Sequence, residues 1–293
     1  MAETLRDELI KKVRRIEITT RKMVNDVMSG QYRSHFKGQG MQFSEHRLYV
    51  PGDDVRHIDW KASARSKEPL VKKYEEEREL TVFLIVDLSG SENFGSADRQ
   101  KSEVVAEMAA MLAYAAVSTG DRVGALLFTS TVEKIIPPKK GRQHVLRIVH
   151  DLLTYKPKAK GTNLAVALES AGRIMKHAGV VFVLSDFQAT GFEKSMQRLA
   201  RKHDVVAIHV GDEREGKIQA GETFLFTDPE TGKEAYVNTG SYQFKKWFGE
   251  FSKTSAKRLE EQFKKMAVEN VSVLTKEDYG EAIVRFFQKR RRR

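Results

Sequence analysis

Residues 81–91 read Thr-Val-Phe-Leu-Ile-Val-Asp-Leu-Ser-Gly-Ser, and this stretch decides the fold. It opens with a continuous apolar run of strand length that leads to Asp87. Such a run is typical of a parallel strand that is buried on both faces. The stretch 180–186, VVFVLSD, has the same form and ends in Asp186. We therefore expect two buried strands that each end in a carboxylate.

The chain alternates between strand and helix patterns from residue 81 to residue 210. After the first strand, apolar residues at helical spacing predict a helix over residues 99–118. The other predicted elements of this region are strands at 122–128, 132–136 and 205–210 and helices at 143–153, 164–177 and 192–202. Strands separated by helices predict an α/β fold with a doubly wound, mostly parallel sheet.

The flanking regions have different patterns. Apolar residues at spacings of three and four predict a helix over the first 28 residues. Residues 30–80 are dense in turn signals and charges, which predicts an irregular segment with short strands at Tyr49–Val50 and Leu70–Tyr74. The last 80 residues predict a hairpin (223–226 with 234–237), helices at 242–266 and 279–288, and a strand at 271–274. We expect two domains, residues 1–79 and 80–293.

Composition excludes several classes of site. The 293 residues contain no Cys, so disulfides, Cys-based zinc sites, iron–sulfur clusters and thiol nucleophiles are excluded. The longest uncharged stretch, Met108 to Gly120, is too short and too rich in small and hydroxyl residues to cross a bilayer. The N-terminus is of mixed charge, unlike a secretory signal. These features favour a cytoplasmic protein.

Positive charge is in excess, and part of the excess is local. The net charge is +11, and the tail Lys289–Arg293 supplies five of these charges. The tail is interpreted as a solvated end, although nucleic acid or an acidic membrane surface could bind it. No helix-turn-helix, RNA-recognition or zinc-finger signature is visible in the sequence, so nucleic acid is not the expected partner.

Polar residues follow the two apolar runs and one predicted loop. Asp87-x-Ser89-x-Ser91 follows the first run, Asp186 ends the second, and Thr162 precedes a predicted helix. Binding sites of doubly wound sheets lie at the carboxyl ends of the strands, so these loops can converge on one edge. Carboxylates and hydroxyls are hard oxygen ligands, which suit Mg²⁺, Mn²⁺ or Ca²⁺ better than Zn²⁺ or Cu²⁺.

This set of residues resembles the metal-ion-dependent adhesion site of von Willebrand factor A domains. The resemblance implies that the hydroxyls of Ser89, Ser91 and Thr162 bind a divalent cation, expected to be Mg²⁺, together with Asp87 and Asp186. It also implies that an acidic residue of a protein partner completes the coordination shell. In the alternative interpretation, the two serines and Asp87 only cap turns and bind no metal.

A second motif lies upstream of the first apolar run. Residues 43–60 read FSEHRLYVPGDDVRHIDW, and charged residues continue to Arg78. The motif resembles the signature of a bacterial family, the domain of unknown function fifty-eight, whose genes lie near those of MoxR-type AAA+ ATPases. The resemblance implies a MoxR-type AAA+ ATPase and its protein client as partners, in a chaperone-like maturation of other proteins.

The charged segment can be a docking surface or a structural network of Arg–carboxylate pairs, and the second interpretation is favoured. Trp60 and Ile58 are expected to anchor it on a core, and Asp53 or Asp54 to cap a short helix. No phosphate-binding loop and no nucleophile elbow is present in the sequence. We therefore expect a non-enzymatic interaction module without a small-molecule substrate; the alternative is a metal-dependent hydrolase or phosphotransferase.

Overall fold

The computed structural model describes residues 40–66, 68–77, 80–89, 95–96, 99–212, 223–227 and 234–291, together with Val13 and Ile16. The helix predicted over the first 28 residues lies outside these ranges except for Val13 and Ile16, which are both helical. The chain divides into two compact units, residues 36–80 and a larger unit that contains residues 81–293. The domain boundary at residue 80 remains a prediction.

The smaller unit is built on two antiparallel strands, β1 (Gly40–Leu48) and β2 (Leu70–Glu77). Between them lie a 3-10 turn at Val55–His57 and helix α1 at Trp60–Ser66. Aspartates cap both helical segments; the cap by Asp54 was expected, and the cap by Asp59 was not. Asp54 accepts the backbone N–H of Arg56 at 3.0 Å, and Asp59 accepts those of Lys61 and Ala62 at 3.1 Å each.

Two expectations for the smaller unit were wrong. The strand predicted at Tyr49–Val50 is absent from the described segment, because the backbone turns there and the N–H of Asp53 donates to the carbonyl of Val50 at 3.0 Å. Trp60 does not anchor the segment, since it is 70% exposed. Ile58 is half-buried and forms a single bridge with Val71.

Ion pairs hold the loop of the smaller unit. Arg47 donates to both oxygens of Asp53 at 2.6 and 2.7 Å, and the hydrogen bonds from Arg47 and from Val50 N–H lower the pKa of Asp53 to about 2. Asp59 pairs with His46 at 3.0 Å and with Lys72 at 3.5 Å. These pairs fit the interpretation of the charged segment as a structural network.

The larger unit contains the remaining elements. In chain order they are β3 (Thr81–Asp87), β4 (Gly95–Ser96), β5 (Arg99–Gln100), α2 (Lys101–Ser118), β6 (Arg122–Phe128), β7 (Val132–Lys139), α3 (Arg142–Thr154), α4 (Leu164–Ile174), β8 (Val180–Ser185), α5 (Glu193–Ala200), β9 (Asp204–Gly211), β10 (Thr223–Thr227), β11 (Glu234–Asn238), α6 (Tyr242–Lys265), β12 (Glu269–Leu274) and α7 (Tyr279–Arg291).

Six of these strands form one sheet in the order β12-β9-β8-β3-β6-β7. All neighbours are parallel except the edge pair β6–β7, which is antiparallel. From β3 the chain moves outward through β6 to β7, then returns to the other side of β3 and moves through β8 and β9 to β12. The predicted α/β fold with a doubly wound, mostly parallel sheet is confirmed, and its topological switch point lies between β3 and β8.

Helices cover both faces of the sheet. Phe83 and Ile85 of β3 belong to a buried cluster with apolar side chains of α4, α5 and Phe263 of α6. Leu84 and Val86 alternate with them and face the opposite side, because successive strand residues point in opposite directions. Residues 82–86 are completely buried, which agrees with the continuous apolar run in the sequence.

The end of helix α7 reaches into the basic tail. Arg290 donates to both carboxylate oxygens of Asp204, at 2.6 and 2.7 Å, and pairs with Glu269 at 3.0 Å. The expectation of a wholly solvated tail is therefore wrong for Arg290, whose charge is neutralised within the fold. None of the helices in the described part of the chain combines the length and the apolar character that a bilayer span needs.

Gly179 lets strand β8 start directly beside β3. A Cβ at this position would overlap the backbone carbonyl of Thr81 and lie 2.8 Å from Cε of Met175. We expect Gly179→Ala to lower the free energy of unfolding by about 2 kcal/mol, because a backbone atom of a central strand cannot move aside cheaply. Urea unfolding measures the change.

Gly172 of helix α4 provides the matched control. Its Cβ would meet only Cδ1 of Leu199, at an ordinary 3.6 Å. Gly172→Ala should therefore raise the free energy of unfolding by about 0.5–1 kcal/mol through helix propensity. Equal effects of the two substitutions would contradict the close approach at Gly179.

Candidate metal site

The ends of β3 and β8 meet at the switch point. Asp87 ends β3, Ser185 ends β8, and the hydroxyl of Ser185 donates to Oδ2 of Asp87 at 2.7 Å. Oδ1 of Asp87 accepts the backbone N–H of Ser89 at 2.9 Å. The structure thus brings Asp87, Ser89 and the Ser185–Asp186 turn together, as the convergence of strand ends predicts.

Asp87 is a buried carboxylate, with 1% of its surface exposed. Burial raises the pKa of Asp87 to about 6, although the hydrogen bonds from Ser185 and Ser89 act in the opposite direction. The nearby negative charge of Asp186 adds to the increase. In the ionised form, this side chain therefore lies in an environment where a further positive charge would be stabilising.

Asp186 has one satisfied and one unsatisfied oxygen. Oδ1 accepts the backbone N–H of Gln188 at 3.1 Å. Oδ2 is buried and has no hydrogen-bond donor among the described residues. Nζ of Lys101 lies 3.6 Å from it, and both side chains are almost completely inaccessible. An ammonium group thus lies beside the candidate metal ligand.

Lys101 is a functional candidate that the sequence analysis missed. It is the first residue of helix α2 and is wholly buried. A buried lysine at a helix N-terminus is disfavoured by desolvation and by the helix dipole, so its carboxylate partner must compensate. Burial lowers the pKa of His209 on β9, while the charge of Asp186 raises it and the charge of Lys101 lowers it further.

The residue after Asp186 has a strained backbone. Phe187 has a φ of 54°, in the left-handed region that a bulky residue rarely adopts. Its N–H donates to Oγ of Ser185 at 3.1 Å, and its ring packs edge-on against Phe263 with 4.9 Å between centroids. Packing and hydrogen bonding therefore hold a conformation that costs on the order of 1–3 kcal/mol. Strain of this kind is common at functional sites.

The loop that contains Thr162 is attached to the same edge of the sheet. The N–H of Asn163 donates to the carbonyl of Thr129, which directly follows β6, at 2.9 Å. The N–H of Leu88 donates to the carbonyl of Phe128, the last residue of β6, at 2.8 Å. The loops after β3 and before α4 are therefore both anchored on the carboxyl end of β6.

Glu133 accepts hydrogen bonds from the chain segment that leads to the Thr162 loop. Its carboxylate accepts the N–H groups of Lys158 at 3.1 Å and Ala159 at 2.8 Å, and the hydroxyl of Thr129 at 2.9 Å. Burial alone would raise the pKa of Glu133, but the hydrogen bonds outweigh it and the pKa is lowered. The sequence analysis missed this residue, because a glutamate on an edge strand carries no motif.

The donor set fits a hard divalent cation. Asp87 and Asp186 supply carboxylate oxygens, Ser89 and Thr162 lie on the two anchored loops, and Ser91 lies outside the described residues. The described residues contain no cluster of three or more acidic or histidine side chains that could hold a metal ion, so hydroxyl ligands would be needed. The contact between Asp87 and Ser89 N–H is also the one that the capping interpretation predicts.

Two solved structures with a similar fold come from proteins that are unrelated in name. One is conserved hypothetical protein BatB from Bacteroides thetaiotaomicron, at 14% identity and a TM-score of 0.47, over 73% of this chain and 100% of that chain. The other is the VWA domain of SpRpn10, at 10% identity and a TM-score of 0.41, over 70% and 94%. Because both TM-scores are low, the fold is established by the strand order and register of this chain.

Sequence relatives give a firmer assignment. An uncharacterised protein of Mycobacterium tuberculosis (strain H37Rv) is 31% identical over 228 residues, which are 77% of this chain and 72% of that protein. Uncharacterised protein YeaD of Bacillus subtilis (strain 168) is 32% identical over 106 residues, 36% of this chain and 24% of YeaD. A family model described as "Protein of unknown function DUF58" matches residues 45–258. The chain therefore belongs to the DUF58 family.

Proposed function

We propose that this protein is a non-enzymatic protein-interaction module. It binds a divalent cation, with Mg²⁺ as the expected ion, at the carboxyl ends of strands β3 and β8. The proposed ligands are Asp87, Ser89, Ser91, Thr162 and Asp186. The observation that carries the proposal is the pair of buried carboxylates at the switch point, one of which has an oxygen without a hydrogen-bond donor among the described residues.

The charges of the site support a role in binding an acidic partner. Ionised Asp87 and Asp186 contribute two negative charges, and Lys101 contributes one positive charge. A bound divalent cation would leave this group of charges with a net charge of +1. When bound, the cation supplies a Lewis-acidic centre that can accept a carboxylate oxygen. A carboxylate of a partner would complete both the coordination and the charge balance.

The partner that we propose is a MoxR-type AAA+ ATPase together with its protein client, in the cytoplasm. This part of the proposal rests on the resemblance of the signature in residues 43–60 to a family whose genes lie near those of MoxR-type ATPases; the family model that matches the chain is described only as of unknown function. In this view the module links the ATPase to the protein that is matured, and the metal site takes an acidic side chain of one of them.

Metal titration tests the site. We expect calorimetry with Mg²⁺, Mn²⁺ or Ca²⁺ to show one site in the wild type and none in Asp87→Ala, because that substitution removes a carboxylate ligand. The matched control is Asp121→Asn, which alters a buried aspartate at the opposite edge of the sheet, 2% exposed and hydrogen-bonded to the hydroxyl of Thr119. Equal binding by wild type and a folded Asp87→Ala protein would exclude the proposed ligand set.

Asp87→Asn should also reveal the cost of the buried charge in metal-free protein. The pKa of Asp87 is raised from 3.8 to about 6, so ionisation opposes folding above that pH. At pH 7.5 the variant should be more stable than wild type by about 3 kcal/mol. The gain should shrink as the pH falls from 6 towards 3.8 and vanish below about pH 3, where the carboxyl group is neutral in both states. Urea unfolding at these pH values measures it; a loss of stability at pH 7.5 would contradict the argument.

Lys101→Met should increase the affinity for the cation at least tenfold. The substitution removes a positive charge next to Asp186 and leaves a buried carboxylate that the metal can neutralise. The melting temperature of the metal-free protein should fall, and Mg²⁺ should restore it. Lys134→Met is the matched control, because Lys134 pairs with Asp151 at 2.8 Å elsewhere in the fold. Mg²⁺ affinity that stays unchanged or falls in Lys101→Met would contradict this role of Lys101.

A further inference from the structure

A cavity of about 300 Å³ lies between helices α4 and α5. Its lining combines apolar side chains, notably Leu168 and Leu199, with charged groups and His203. His203 directly precedes β9, which begins beside the first residue of β8. The cavity therefore extends to the amino edge of the sheet. The candidate metal site lies at the carboxyl edge, about 20 Å away along the six residues of β8.

The buried imidazole of His203 is the first sign of a ligand. The residue is 4% exposed, and neither ring nitrogen has a hydrogen-bond partner among the described residues. Leaving such a buried polar group unsatisfied is unfavourable, so its presence calls for an explanation. Burial and the nearby charge of Lys202 lower the pKa of His203. The neutral ring has one N–H donor to offer to the cavity.

The second sign is an excess of cations without carboxylate partners. Arg173, Arg198 and Lys202 line the cavity together with a single acidic residue, Glu169. In the described part of the chain, Arg173 donates to the hydroxyl of Ser170 at 2.9 Å and Lys202 to the carbonyl of Met175 at 3.0 Å. Both acceptors are neutral. Arg198 is exposed and has no ion-pair partner within the same described ranges. Glu169 accepts the hydroxyl of Ser195 at 3.0 Å.

We propose that this cavity binds an organic phosphate monoester with a compact apolar body. The three cations against one carboxylate leave a charge of +2, which matches a dianionic phosphate better than a monoanionic carboxylate. Arginine is suited to phosphate because its planar group can donate two parallel hydrogen bonds. The N–H of His203 supplies a further donor, and Leu168 and Leu199 cover the apolar part. This ligand goes beyond the proposed interaction function and differs from the expectation of no small-molecule ligand.

The test uses phenyl phosphate as the probe, with the full chain in metal-free buffer at pH 7.5. Calorimetry should give a dissociation constant below about 1 mM, at least tenfold tighter than for inorganic phosphate or for benzoate. Phenol, which has the same ring without the charge, should not bind at 10-fold higher concentration. In NMR spectra, the ring resonances of His203 should move on addition of phenyl phosphate, since the probe gives the imidazole a partner.

Two substitutions on helix α5 distinguish binding in the cavity from non-specific binding to a positively charged protein. Arg198→Gln removes a cation of the cavity and should weaken phenyl phosphate binding at least fivefold. Lys194→Gln removes an exposed cation from the same helix outside the cavity lining and should leave binding unchanged. Both positions are exposed, so neither substitution should disturb folding. Equal loss in the two variants, absence of binding at 20 mM probe, or binding of benzoate as tight as that of phenyl phosphate would each overturn the proposal.

Discussion

The burial of β3 is the constraint on which the rest of the structure depends. Residues 82–86 are inaccessible on both faces, and the strand pairs in parallel with β6 on one side and with β8 on the other. Asp87, the next residue in register, is carried into the interior with them. A carboxylate that loses its hydration must find donors, and the backbone of Ser89 and the hydroxyl of Ser185 supply them. The packing of the central strand thus determines the burial and the hydrogen bonds of Asp87.

Lys101 lies beside Asp186, one of the two neighbouring carboxylates at the ends of β3 and β8. Lys101 neutralises one of two neighbouring carboxylates, although a buried ion pair at a helix start contributes little net stability. Well-packed apolar residues in place of both members of the Lys101–Asp186 pair would serve the fold at least as well.

The sequence was sufficient for the sheet and for the meeting of the ends of β3 and β8, and the reasons are physical. Continuous apolar runs identify β3 and β8 because a strand buried on both faces has no other composition. Lys101 and Glu133 could not be found this way, since their importance comes from partners far along the chain. The prediction that Trp60 anchors the segment was wrong for a related reason. An aromatic side chain is usually buried, but in this segment ion pairs such as Arg47–Asp53 stabilise the loop and the indole remains exposed.

The left-handed backbone at Phe187 joins two distant parts of the larger unit. The aromatic ring leans on Phe263 of α6, while the peptide on its other side belongs to the turn that carries Asp186. The strained backbone conformation depends on the packing of the Phe187 ring against Phe263. Helix α6 therefore stabilises that turn. A partner that binds α6 and displaces it would relax the turn and change the orientation of the Asp186 carboxylate, without contacting the strand ends.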